Sequence, residues 1–334
     1  MEKIMAVYDV DVRYARRFAD VVNQKERTPF SVIPFSTFER LKEYGQTHEI
    51  EILLISLSVP QNRIREIRAG TVVTLAEGEI VAAAGDYPSV YKYQSADGLI
   101  REVMSCYCSQ PEQEAWKVLG RKARVYGVYS PIGRCLKTSL ALTMGQQLAR
   151  EGKTLYVSFE EFSGLSGILG ESAREDLSSV LYYFRQGGLN VVRLTSLVHG
   201  WKELDYIPPV RCPEDLGQLE GEEAGKLMEA LASEMGYEYL VADLGRPGRC
   251  LPGLLEACSR IYMPVKEDAV SAAKLEEFDR YLEASGRKEL RERITRIRLP
   301  YHSSLGRRSD YMDQLLWGEL GDYVRQLLKG GSRT

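Results

Sequence analysis

The fold of the second half of the chain is decided by the stretch VYGVYSPIGRCLKTS, residues 125–139. Its apolar start predicts a short β-strand, and a helical pattern runs from Ser139 to Arg150. Lys137 and Thr138 stand between the loop and this helix. A strand, a loop, a Lys-Thr pair and a helix in this order predict a phosphate-binding loop, because free backbone N–H groups at a helix N-terminus bind anions.

This loop departs from the usual pattern, G-x-x-x-x-G-K-[ST], at both glycines. When the pattern is aligned on Lys137 and Thr138, Pro131 and Leu136 occupy the two glycine positions. Proline lacks an N–H donor, and the Cβ of leucine takes up space where the backbone approaches phosphate. The alternative interpretation is an ordinary capped helix N-terminus at Lys137–Ser139.

The composition excludes several classes of protein. The chain has 334 residues, 44% apolar and 27% charged, which is typical of a globular protein with two domains. Its net charge of −3 gives no field that attracts nucleic acid or anionic lipid, so no nucleic-acid partner is expected. The lack of a bilayer-length apolar run and of a signal peptide, together with scattered cysteines that suit reduced thiols, favours a cytoplasmic protein.

Both halves of the chain alternate short apolar strands with helical patterns. This alternation predicts the fold class α/β, with two doubly wound parallel-sheet domains at 1–109 and 124–334 and a polar linker at 110–123. The segment 164–221 lacks clear periodicity, and we expect an insertion there that contacts a partner. Functional groups in such sheets lie at the carboxyl ends of the strands.

The strand ends of the first half carry a set of acidic, hydroxyl and lysine side chains. They are Asp9 and Asp11 after the first strand, then Ser56, Thr74 and Lys92 at the ends of the third, fourth and fifth. In this arrangement the first domain resembles a response-regulator receiver domain, with Ser56 in place of the phosphorylated aspartate. A serine is not the carboxylate nucleophile that this chemistry needs, so we predict no phosphorelay activity and a role in docking or dimerisation. The alternative is an α/β domain in which Asp9, Asp11 and Lys92 merely pair with each other.

Two further strand ends in the second half complete a second pattern. The segment 154–164 ends a strand at Ser158 and continues through Glu160, and the segment 237–245 reads as an apolar strand that ends in Asp243. Together with the loop at 130–139, these strands resemble the MinD/ParA group of deviant P-loop ATPases. Three motifs in the same order are more specific than any one of them.

The resemblance implies a role for each matching residue. Lys137 corresponds to the lysine that reaches the β- and γ-phosphates, and Thr138 and Asp243 correspond to the residues that hold Mg²⁺. The backbone from Gly133 to Thr138 would surround the phosphates of ATP. The implied nucleotide-binding residues are Gly133, Arg134, Cys135, Leu136, Lys137, Thr138, Ser139 and Asp243.

Departures from the ATPase pattern predict weak or absent hydrolysis. Ile132 stands where the group has a signature lysine, and Arg134 is the only other cation in the loop. Ser158 and Glu160 replace the Asp-x-Asp pair of the group, so no catalytic residue is assigned. We therefore expect a degenerate P-loop ATPase that binds ATP and Mg²⁺ better than it hydrolyses ATP.

A degenerate receiver domain followed by a degenerate MinD/ParA domain resembles the TadZ/CpaE family, which localises and assembles the machinery of Flp/Tad-type pili. The resemblance implies a cytoplasmic homodimer that proteins of the pilus secretion machinery bring to the cell pole or the membrane periphery. One alternative is an active MinD/ParA-type ATPase in positioning or partition, and another is a phosphorylation-dependent regulator. The last helical pattern, Asp310–Leu328, has an acidic polar face, so we expect it to pack on its own domain or on a dimer partner without direct membrane insertion.

Overall fold

The chain forms two compact units, one with Met1–Trp116 and Asn190–Ser196, the other with Lys117–Leu189 and Leu197–Thr334. The structure is a computed structural model that describes residues 3–25, 30–78, 86–108, 122–169, 175–234, 236–245, 248–300 and 310–331. The linker expected at 110–123 lies almost wholly outside the described residues, and the domain bounds stay a prediction.

A five-stranded parallel sheet forms the centre of the first unit, in the order β2-β1-β3-β4-β5. Its strands are β1 (Lys3–Tyr8), β2 (Phe30–Phe35), β3 (Ile50–Ser56), β4 (Ala69–Ala76) and β5 (Ser89–Tyr91). Its helices are α1 (Val12–Lys25), α2 (Phe38–Thr47), α3 (Gln61–Ile64) and α4 (Ala96–Cys108). This strand order is one of the two common doubly wound orders.

Burial of the central strand explains why this sheet forms. Ile52, Leu53, Leu54 and Ile55 of β3 have no exposed surface, because side chains on both faces of a central parallel strand are covered. Phe38 and Leu41 of α2 pack in the same apolar cluster as Leu53 and Ile55. Strands β1 and β3 are parallel neighbours, so their carboxyl ends lie side by side at one edge of the sheet.

The second unit is built on a seven-stranded sheet in the order β12-β11-β6-β10-β7-β9-β8. Its strands are β6 (Arg124–Val128), β7 (Thr154–Ser158), β8 (His199–Trp201), β9 (Leu204–Tyr206), β10 (Tyr239–Asp243), β11 (Arg260–Pro264) and β12 (Ile294–Ile297). All neighbouring strands are parallel except the edge pair of β8 and β9. The α/β class and its parallel sheets are thus as expected.

Helices fill the connections of the second unit. They are α5 (Lys137–Ala149), α6 (Leu165–Leu169), α7 (Leu177–Arg185), α9 (Pro213–Gly217), α10 (Gly221–Glu234), α11 (Leu251–Ala257), α12 (Ala269–Ala284), α13 (Leu290–Arg293), α14 (Tyr311–Trp317) and α15 (Glu319–Gly331). A further helix, α8 (Val191–Leu197), has all but its last residue in the first unit. None of the helices in the described ranges is long and apolar enough to cross a bilayer.

The segment 164–221 is more regular than its sequence indicates. Its described residues, 164–169 and 175–221, include the helices α6 to α9 and the strands β8 and β9, which extend the sheet beyond β7. Each of these strands has only three residues, too few for a period of two to be visible in the sequence.

The C-terminal helical pattern forms two helices instead of one. Gly318 ends α14 in an extended conformation, and a Cβ on Gly318 would lie 2.5 Å from the carbonyl oxygen of Gln314. Both helices pack against α5: Leu315 and Val324 are fully buried in one cluster with Leu140 of α5. The amide groups of two α5 glutamines donate hydrogen bonds to carbonyl oxygens of this pair, Gln146 to Met312 and Gln147 to Leu316.

Candidate functional site

The loop between β6 and α5 is anchored to the sheet by its first residues. The hydroxyl of Ser130 donates a hydrogen bond to the carbonyl oxygen of Pro264 at the end of β11 (2.8 Å) and accepts one from the N–H of Ile132 (3.2 Å). The thiol of Cys135 donates to the carbonyl oxygen of Ile132 (3.3 Å). Ile132 is only 4% exposed, so the position of the signature lysine is an apolar anchor of the loop.

Two residues of this loop that are not glycine have a left-handed backbone. Arg134 and Leu136 have φ of +55° and +63°, in the left-handed region that costs an L-residue about 1–2 kcal/mol. Leu136 is the N-cap of α5, and its side chain makes no capping hydrogen bond. An ordinary N-cap side chain accepts a hydrogen bond from the first N–H groups of a helix, and Leu136 does not. These N–H groups of α5 are therefore not capped by the N-cap residue, as is needed where a helix start binds an anion.

Sheet pairing brings the predicted carboxylate next to this loop. Asp243 ends β10, which lies between β6 and β7, and it is in register with Val128 and Ser158. The side chain of Asp243 is fully buried. Burial raises its pKa to about 6, and the charge of Glu160 adds to the rise, whereas the Thr138 hydroxyl and Lys137 lower the pKa.

The two carboxylate oxygens of Asp243 differ in their hydrogen bonds. The hydroxyl of Tyr156 donates to Oδ2 over 3.5 Å, while Oδ1 is buried and has no hydrogen-bond partner among the described residues. A buried, unpartnered carboxylate oxygen close to the Thr138 hydroxyl fits Mg²⁺, which prefers oxygen ligands and takes one or two from protein when phosphates supply the rest. The described ranges hold no group of three His, Cys, Asp or Glu that could bind a metal by itself.

A carboxylate lies beside the predicted phosphate-binding lysine. The ammonium group of Lys137 is 3.6 Å from Oε1 of Glu160, and the two side chains are 8% and 25% exposed. Glu160 follows β7, and its backbone N–H donates to the hydroxyl of Ser158 (3.3 Å). Ser158 itself is fully buried, so a neutral hydroxyl occupies the position of the group's first aspartate.

The other predicted nucleotide-binding residues have mixed surroundings. Gly133 and Leu136 are half-buried, Cys135 is buried and Arg134 is exposed. The hydroxyl of Ser139 is hydrogen-bonded to the hydroxyl of Tyr311 on α14 (2.7 Å). Ser139 thus uses its side chain to hold the C-terminal helices.

Sequence reasoning missed Tyr156. Its hydroxyl reaches Asp243 because Tyr156 and Ser158 lie on the same face of β7, which is the neighbour of β10. Alternation along a strand, combined with the strand order, is the signal that could have identified it.

At the edge of the first unit, Lys92 joins two carboxylates. Its ammonium group lies 3.3 Å from Oδ2 of Asp9 and 2.5 Å from Oε1 of Glu77, and Lys92 and Asp9 are almost wholly buried. Burial lowers the pKa of Lys92, but Glu77 and Asp9 more than offset this, and the net pKa is raised. Lys92 therefore stays charged and paired.

The remaining receiver-like residues make local contacts. Oδ1 of Asp11 accepts hydrogen bonds from the first N–H groups of α1, and the N–H of Asp11 donates to Asp9 (2.8 Å). The hydroxyl of Ser56 contacts that of Ser58 (2.8 Å), and Thr74 donates to the carbonyl oxygen of Pro88 (3.2 Å). Of the pairing expected among Asp9, Asp11 and Lys92, the salt bridge forms between Asp9 and Lys92, while Asp11 caps α1.

The chain matches no protein-family model, and no curated protein matches it significantly. Solved structures similar to part of it include a putative plasmid partition protein from Borrelia burgdorferi B31 bound to AMPPNP, with 14% identity, 63% of this chain and 100% of the other covered, and a TM-score of 0.48. A ParA family ATPase from Chlorobium tepidum has 20% identity, covers 58% and 80% of the two chains, and has a TM-score of 0.46. Cobyrinic acid a,c-diamide synthase from Mycobacterium smegmatis, with ADP and magnesium, has 17% identity, 60% and 81% covered, and a TM-score of 0.43.

Proposed function

We propose that the second unit binds ATP with Mg²⁺ as a MinD/ParA-type site and hydrolyses it weakly or not at all. The observation that supports this most strongly is the meeting of Lys137 and Thr138, at an uncapped helix N-terminus, with the buried and partly unpartnered carboxylate of Asp243. An ordinary helix start does not need a buried carboxylate beside it, since burying one costs free energy.

Each residue has a distinct role in this proposal. The ammonium group of Lys137 neutralises phosphate oxygens, and the N–H groups that begin α5 donate to them. The Thr138 hydroxyl and Oδ1 of Asp243 hold the metal ion, whose charge offsets that of the phosphates. Ser158 cannot act as a general base at neutral pH, so this position does not supply a group that activates water.

Calorimetry with Mg·ATP tests this site. We expect saturable binding by the wild type and unchanged binding by Lys226→Ala. Lys137→Ala should lose at least about tenfold in affinity, because a charge-assisted contact is worth about 1.5–3 kcal/mol. Lys226 is an exposed lysine on α10 that pairs with Glu222, which makes it a matched control. Phosphate release near background in the wild type would agree with weak hydrolysis, and absence of binding would refute the site.

We further propose that the whole chain localises and assembles a Flp/Tad-type pilus secretion machine as a homodimer. The order of the two units and their motifs supports this, as does the loss of the phosphate acceptor at Ser56. In the first unit, Val10, Leu57 and Tyr93 follow strand ends at the carboxyl edge of the sheet and are 65%, 39% and 58% exposed. Exposed apolar side chains at this edge suit contact with a protein partner.

Deletion of the gene in its own organism distinguishes this role from the alternative. We expect loss of pili with normal plasmid and chromosome inheritance, and recovery of pili on expression of the wild-type chain. A Leu57→Ser chain should bind Mg·ATP normally and restore fewer pili. Defective inheritance with intact pili would instead favour an active partition or positioning ATPase.

A further inference from the structure

The contact between Lys137 and Glu160 has a consequence for any phosphate ligand. Lys137 is nearly buried, and its ammonium group lies 3.6 Å from the Glu160 carboxylate. A lysine at a phosphate site contributes through its unpaired positive charge, and a fixed carboxylate at this distance cancels much of that charge.

The backbone of Glu160 is held in place by two neighbours. Its N–H donates to the buried hydroxyl of Ser158. Gly245 follows β10 with φ of +55°, and a Cβ there would lie 2.8 Å from Cα of Glu160. That Cβ would also lie 2.9 Å from Cγ of Glu160, so the stem of the Glu160 side chain packs against Gly245.

We propose that Glu160 is an internal counter-ion that competes with the ligand's phosphates for Lys137 and so sets a low affinity of this site for nucleoside polyphosphates. The inference rests on the proposed nucleotide site. Phosphate binding requires that the Lys137–Glu160 pair opens, and the cost of opening it is subtracted from the affinity.

Glutamine substitutions at two adjacent positions test this competition. Glu160→Gln keeps the size of the side chain and removes its charge, and Glu161→Gln removes the same charge from an exposed neighbour. We expect Glu160→Gln to bind Mg·ATP about tenfold more tightly than the wild type, and Glu161→Gln to stay within about twofold, because a partly buried charge is screened less than an exposed one.

Inorganic tripolyphosphate serves as a second probe in the same titrations. The competition acts on phosphate groups, so the gain in Glu160→Gln should appear with tripolyphosphate as well as with Mg·ATP. Thermal unfolding of each variant without ligand checks that it is folded.

The outcomes separate this inference from the proposed function. If the wild type binds Mg·ATP and Glu160→Gln binds equally or more weakly, Glu160 does not compete and the nucleotide site still stands. Weaker binding would mean that Glu160 helps to hold the ligand. If neither protein binds either probe, the nucleotide site itself is refuted, and this inference with it.

Discussion

The buried carboxylate of Asp243 should destabilise the folded protein when it is ionised. Its pKa is raised to about 6, mainly by burial, whereas an aspartate in an unfolded chain has a pKa of about 3.9. The folded state therefore holds this proton more tightly, so the contribution of Asp243 to stability is fully present below pH 4 and is lost as the pH rises towards and past 6. The difference of about two units between the folded and unfolded pKa corresponds to a loss of at most about 3 kcal/mol of unfolding free energy at pH values above 6.

The substitution Asp243→Asn removes this cost and changes little else in shape. The new amide loses part of the gain because its buried N–H₂ group needs acceptors, a cost of about 1–2 kcal/mol. We therefore expect the free energy of unfolding without nucleotide to rise by about 1–2 kcal/mol at pH 7.5, and to fall about 1–2 kcal/mol below that of the wild type near pH 4, where only the cost of the amide remains. The same variant should lose Mg²⁺-dependent ATP binding, because Oδ1 is the proposed metal ligand.

Urea unfolding at pH 4, 5.5 and 7.5, with the denaturant slope compared between proteins, measures this effect. Asp268→Asn is a matched control: Asp268 caps α12, and the Ser271 hydroxyl holds its pKa below the usual value. Loss of that carboxylate should become more unfavourable as the pH rises, which is the opposite trend. An Asp243→Asn protein that is less stable than the wild type at pH 7.5, or whose gain does not depend on pH, would refute the reasoning.

Three further predictions follow from the two units. Lys92→Met should lower the free energy of unfolding by about 3–5 kcal/mol, because it leaves Asp9 buried without its partner. Glu77→Gln, at an exposed carboxylate, should lower it by no more than about 1 kcal/mol. Urea unfolding of both variants checks this, and equal effects would contradict it. Incubation with acetyl phosphate should leave the intact mass unchanged, because Ser56 provides no carboxylate nucleophile; a mass gain of one phosphoryl group would show the opposite. Leu136→Gly should tighten Mg·ATP binding several-fold in calorimetry, because it removes a Cβ where the backbone would approach phosphate, and weaker binding would mean that the leucine helps to hold the loop for the ligand. The relief of its left-handed backbone, worth about 1–2 kcal/mol, should appear separately in the free energy of unfolding.

The sheets could be predicted from sequence where strands are long and apolar. Strand β3 and its fully buried side chains illustrate this, because a continuous apolar run indicates a central parallel strand. Strands β8 and β9 could not be predicted, since each has three residues and includes polar side chains. The break between α14 and α15 depends on close backbone approaches at Gly318 and Gly321, which only the packed structure reveals.

The candidate site was predictable in its residue types but not in its contacts. Lys137 and Asp243 were identified from motif order, and the register of β10 with β6 explains why residues so distant in sequence lie together. The link between Lys137 and Glu160 depends on how the loop after β7 packs against Gly245, and no sequence pattern indicates it. The hydrogen bond between the hydroxyls of Ser139 and Tyr311 likewise depends on packing that no sequence pattern indicates.

Nucleotide occupancy at equilibrium tests the central claim most directly. The wild-type chain would be dialysed to equilibrium against saturating Mg·ATP, and the nucleotide held in excess on the protein side would be quantified and identified by chromatography, with Lys137→Ala treated in parallel. We expect nearly one ATP per site, still unhydrolysed after an hour, and little nucleotide on the variant. No bound nucleotide on the wild type, or equal amounts on both proteins, would contradict the account, as would complete conversion to ADP.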